Sequence, residues 1–72
     1  MIRLHLIRHR GHMPPRVYER PTVVQLPDEA LTAVRFLRDG SVGTVKACEV
    51  EASEHFVERD GVTWRVVKVE KR

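Results

Sequence analysis

Hydrophobic and polar residues alternate along residues 2–9: Ile2, Leu4 and Leu6 fall on one side, Arg3, His5 and His9 on the other, with Ile7 the exception. A period of two predicts a half-buried β-strand. The pattern breaks at Arg10-Gly11-His12-Met13-Pro14-Pro15, where two prolines remove two backbone donors and hold φ near about −65°. A second extended run covers residues 16–26 and is interrupted by Pro21. Because proline cannot donate to a ladder, this run is expected at a sheet edge or bend, antiparallel to the first.

Over residues 28–38 the period changes. Pro27, Asp28 and Glu29 form a helix-start cluster, and Ala30, Ala33, Val34 and Leu37 recur at i, i+3, i+4 and i+7 with Leu31 beside them. Gly40 then supplies a left-handed stop. The spacing predicts one short helix over 28–38. The same residues also read as a strand over 32–38 turning at Asp39-Gly40, because Arg38-Asp39-Gly40 after Phe36 echoes Arg59-Asp60-Gly61 after Phe56. That alternative gives an all-β, barrel-like meander.

Residues 44–50 alternate weakly and are rich in valine, which predicts a strand containing Cys48, although Val45, Cys48, Ala52 and Phe56 also fit a helical face. Ala52-Ser53-Glu54 reads as a turn. The clearest signal is the C-terminal hairpin 55–70, two β-rich runs around Asp60-Gly61, a dipeptide suited to a type I′ turn. A two-residue turn opposes Val57 to Trp64 and Arg59 to Val62. In the last run Trp64 and Val66 face one way and Val67 and Val69 the other, so a central strand, or one lying against a partner, is expected. The expected fold is α+β: a small curved antiparallel β-sheet of four to five strands with one short helix. Residues 1–72 form a single domain, and Leu4, Leu6, Val24, Leu31, Val34, Leu37 and Trp64 its core.

Composition narrows the function classes. The 72 residues are 42% hydrophobic and 32% charged, and no apolar run approaches the roughly 18 residues of a spanning helix. The opening residues carry no apolar export core, so a cytoplasmic protein without membrane contact is expected. Cys48 is the one cysteine, which excludes an internal disulfide and a zinc site of paired cysteines. A core this small offers only a few kcal/mol, so a homodimer or partner-bound subunit is expected.

The net charge of +3 hides a segmental layout. Residues 1–21 carry five arginines against Glu19, residues 22–60 carry four cations against eight carboxylates, and residues 61–72 carry four cations against Glu70. If head and tail lie side by side they make one basic face; otherwise the basic ends of one copy can meet the acidic middle of another. Arginine outnumbers lysine ten to three, which suits bidentate phosphate contacts and equally follows from a coding sequence rich in G and C.

Candidate chemistry is sparse. Leu6-Ile7-Arg8-His9-Arg10-Gly11 resembles the start of the histidine phosphatase family, where a strand ends in Arg-His-Gly and the histidine accepts the phosphoryl group. Arg10 stands where that family has glycine. The resemblance covers about ten residues, and the family's second histidine and further arginines need a far longer chain, so the reading is set aside. His5 and His9 share a strand face about 13 Å apart, too far to share one ion, and only His9 with His12 could converge. Cys48 reads as a small buried hydrophobe. With no carboxylate pair, Gly-rich loop or Ser-His-Asp order, the expectation is a protein that is not an enzyme, with no cofactor, no metal and no small-molecule substrate.

Two roles remain. One is a non-catalytic protein-interaction or assembly module, such as a small subunit in a larger complex, phage-borne or otherwise, with a protein partner or self-association. The other is a nucleic-acid-binding module using Arg3, Arg8, Arg10, Arg16, Arg20, Arg65, Lys68 and Lys71, with Tyr18 offering a ring for stacking.

Overall fold

The structure, a computed structural model, describes residues 1–9 and 20–72. The alternating head forms β1 (Ile2–Arg8), followed by β2 (Thr22–Leu26), β3 (Leu31–Phe36), β4 (Val42–Lys46), a 3-10 turn (Ala47–Glu49), β5 (His55–Arg59) and β6 (Val62–Lys71). All pairings are antiparallel, in one six-stranded sheet of order β2-β1-β6-β5-β3-β4.

The hairpin at the C-terminal end follows its turn chemistry. Asp60 and Gly61 both take positive φ, 51° and 74°, as a type I′ turn requires. Val57 then lies opposite Trp64 and Arg59 opposite Val62. On its other side β6 pairs with β1, from Ile2 with Lys71 to Arg8 with Trp64. Head and tail are therefore adjacent strands, and β6 is central. The register slips between His5, opposite Lys68, and Leu6, opposite Val66, which leaves Val67 as an extra residue. This β-bulge corrects the expected two-sided pattern: Val69 comes opposite Leu4, on the same side as Val66 and Trp64.

Residues 28–38 are not a helix; the structure has β3 there, and the α+β expectation gives way to an antiparallel β fold. Thr32 and Val34 alternate as buried positions, and Val34 pairs with Val57 on one side and Gly43 on the other. Two ladders satisfy the backbone on both sides of β3, whereas an isolated helix of this length is marginal and its β-branched residues favour the sheet. Leu31 and Leu37, expected in the core, are 75% and 39% exposed. Gly40 does take positive φ, 73°, but it closes a hairpin rather than a helix. The sheet has six strands rather than four to five. It is open, with β2 and β4 at its edges, so the barrel-like meander is not formed either.

Cys48 lies in the 3-10 turn, not in a strand. Because β4 and β5 both pair antiparallel with β3, they run parallel to each other, and residues 47–54 must return along β3 to join them. This crossover is pinned by Ala47 N–H donating to the Ala30 carbonyl (2.8 Å), Leu37 N–H to Glu54 (3.0 Å) and Ser53 N–H to Val66 (3.2 Å). The Glu51 N–H donates to Nδ1 of buried His55 at 2.9 Å. Ala47 and Val50 on the crossover are fully buried together with Ile2, Leu4, Leu6, Val34, Val57 and Val66. One side of the sheet is thus covered. Among the described residues no helix is long and apolar enough to cross a membrane.

Candidate docking face

Strand alternation sends the neighbours of these core residues to the other side. The registers assemble there Arg3, His5 and Ile7 of β1, Thr63, Arg65, Lys68 and Glu70 of β6, Phe56 and Glu58 of β5, Arg35 of β3, and Val42 and Lys46 of β4. Five cations thus face two carboxylates. The other carboxylates of the acidic middle sit elsewhere: Asp28, Glu29, Asp39 and Asp60 in turns, and Glu49, Glu51 and Glu54 on or beside the crossover. Folding therefore converts a charge layout along the chain into one between a sheet face and its rim.

At the centre, the registers place Ile7, Arg65, Phe56, Arg35 and Val42 in one row across five strands. His9 continues β1 by donating its N–H to the Thr63 carbonyl at 2.9 Å. Its ring lies against Phe56, centroids 4.6 Å apart and planes inclined by 32°. An aromatic pair is thus flanked by arginines on the strands either side of β5. Arg35 reaches Glu58 at 3.3 Å, while among the described residues Arg65 makes no ion pair.

Towards the open end of β1, Nε2 of His5 lies 2.7 Å and Lys68 Nζ 3.7 Å from Oε1 of Glu70, and an Arg72 nitrogen lies 3.9 Å from its Oε2. The hydrogen bond from His5 is the main cause that holds the Glu70 carboxyl below its ordinary range, and the charges of Lys68 and Arg3 act in the same direction. At the other edge Lys46 Nζ meets Glu29 at 2.9 Å, which raises the lysine above its ordinary range.

Of the residues expected to bind phosphate, Arg3, Arg65 and Lys68 share this face. Arg8 and Lys71 follow the phase of Leu6 and Ile2, towards the covered side, and are exposed at strand ends. Arg20 is exposed ahead of β2. Arg10 and Arg16, together with His12 and Tyr18, lie outside the described residues. The sequence reading passed over Arg35 and Lys46, which belong to the acidic middle and reach this face only through the β3–β4 and β3–β5 pairings, and over Phe56. The hairpin register alone could have found Phe56: if Val57 faces Trp64, then Phe56 faces Arg65 on the opposite side. Among the described residues no three His, Cys, Asp or Glu side chains converge on a point. Of the protein-family models, curated proteins and solved structures compared with the chain, none matches.

Proposed function

We propose that this chain is a non-catalytic binding module that holds single-stranded nucleic acid across the face of its sheet that the crossover leaves free among the described residues. The row of Arg35, Phe56 and Arg65, with His9 against the ring, carries the reading. Adjacent strands lie about 4.8 Å apart, so guanidinium groups on both neighbouring strands reach phosphates while the ring offers a base a stacking surface. A sheet face presents no helix or ribbon to enter a groove, so unpaired bases suit it better than a duplex. Contacts of this kind are electrostatic and tolerant of base identity.

Fluorescence anisotropy with a labelled thymidine oligonucleotide and a duplex of equal length, at about 50 mM salt, tests this. The single strand is expected to bind more tightly, with log affinity falling linearly with log salt. Arg65→Glu is expected to weaken binding about tenfold and to lower the salt slope by about one phosphate contact. Absence of binding, or an Arg65→Glu protein that binds as well as the parent, overturns the reading. The competing role, an assembly module with a protein partner, draws support from a different surface, the β4 edge.

A further inference from the structure

We infer that β4 is a self-association edge, at which two copies pair antiparallel about Gly43 with Val42 of each opposite Thr44 of the other. The two edges of the sheet are unequal. β2 is bracketed by Pro21 and Pro27, which have no N–H to give to an added strand, whereas β4 contains no proline. Hydrogen bonds fix which groups of β4 are turned outward. Phe36 N–H donates to Ser41 at 2.9 Å and Ala47 N–H to Ala30 at 2.8 Å, so residues 43 and 45, in the same phase, bond to β3. Val42, Thr44 and Lys46 therefore point their N–H and C=O groups away from the sheet. The Lys46 N–H is already taken by the Glu49 carboxylate at 3.0 Å. Among the described residues, Val42 and Thr44 are left with unused donors and acceptors.

A two-fold pairing about Gly43 uses those groups and no others: each Val42 exchanges both backbone hydrogen bonds with Thr44 of the second copy. Side chains agree with this register. Gly43 opposes Gly43, where the two strands come closest and no side chain intervenes, and the Phe36 ring already lies over this glycine, 3.4 Å from where a Cβ would be. Val42, 62% exposed, lies at the junction on the open face and loses solvent there. The same register sets Lys46 opposite Gly40 of the second copy, next to its Asp39, and brings the Lys46–Glu29 pair towards Arg38-Asp39 of the second copy at both ends. Asp39 is held ionised by hydrogen bonds from the Ser41 hydroxyl (2.7 Å) and N–H (2.9 Å). Charge complementarity thus favours a second copy in this register. A junction of one short strand is small, so the pair is a weak, concentration-dependent one. It extends the sheet in its own plane and leaves the docking face open.

Light scattering and amide NMR on the full chain across a concentration series up to about 1 mM test the inference. The apparent mass is expected to climb towards twice that of one chain, with the Val42 and Thr44 amides shifting most. Thr44→Pro removes the outward N–H while leaving the β3 ladder intact, and is expected to stay monomeric with an unchanged melting temperature. Lys46→Glu, at an exposed position, brings a carboxylate near Asp39 of the second copy and is expected to weaken pairing about tenfold; mixing it with an Asp39→Lys chain is expected to restore it. An apparent mass of one chain throughout overturns the inference. So does a folded Thr44→Pro protein that still pairs, concentration shifts confined to β2, or, should Thr44→Pro not fold, a Lys46→Glu protein that pairs as the parent does.

Discussion

Leu4 and His5 are neighbours on one strand, and so are Val57 and Phe56, yet their side chains lie in different surroundings. Leu4 and Val57 are fully buried beneath the crossover and between strands drawn from both halves of the chain. His5 and Phe56 stand on a side that nothing among the described residues covers, among cations. The covered side is held by apolar contact that water cannot replace; the open side is held by ion pairs that water and salt largely can. A residue's effect on stability and its effect on binding should therefore separate by face, even between adjacent positions.

Leu4→Ala gives the sharpest test. Emptying a fully buried leucine site costs roughly 2–5 kcal/mol, comparable to the whole stability of a chain this size. Urea titration is expected to show a largely unfolded Leu4→Ala protein and a His5→Ala protein that is nearly as stable as the parent. Equal losses would mean that the two sides are not energetically distinct.

Phe56→Leu inverts the test. It keeps an apolar side chain on the sheet but removes the ring, so the unfolding midpoint is expected to move little while oligonucleotide affinity falls several-fold, since stacking contributes about 1–3 kcal/mol per base. A Phe56→Leu protein with lowered stability and unchanged affinity would place the ring in a structural role.

The smallest expected effect is on pH dependence. Glu70 and Asp39 both have folded pKa values below their ordinary values of 4.5 and 3.8. The stability each contributes is present above those unfolded values and is lost as pH falls through the lowered folded values. Thermal unfolding is expected to shift to lower temperature on acidification below about pH 4. His5→Ala removes the main cause of the Glu70 shift and is expected to make that acid limb shallower.

Much of the fold was legible where partners are close in sequence. Asp60-Gly61 selects a two-residue type I′ turn, and the turn length then dictates Val57 opposite Trp64 before any coordinates are known. The echo at Arg38-Asp39-Gly40 gave a hairpin too, but a longer one: only Gly40 has positive φ there, its N–H donates to Phe36 at 2.8 Å, and Asp39 instead accepts hydrogen bonds from Ser41. The same three residues thus close two different loops, because flanking contacts decide how many residues the turn takes. Leu37 N–H, for example, is drawn to Glu54 on the crossover.

The open, cationic face of the sheet was legible only in part. Arg3, Arg65 and Lys68 followed from the basic ends and from the alternation of β1. Arg35 and Lys46 belong to the acidic middle and join the face only because β3 and β4 pair with each other and, through β5, with β6. The bulge at Val67 shifts the side of Val69, and no residue type in that run announces it.

Local spacing therefore determined which residues of β1, of β5 and of β6 as far as Val66 share a side, where the tight turn falls and that the chain is rich in strands. Tertiary structure decided that residues 31–36 form a strand, that the sheet is open and six strands wide, which side the crossover covers, and which charges meet on the other. The physical reason lies in the β-ladder. Alternation within a segment divides its side chains into two sets, but the hydrogen bonds that choose its neighbours join backbone groups far apart along the chain.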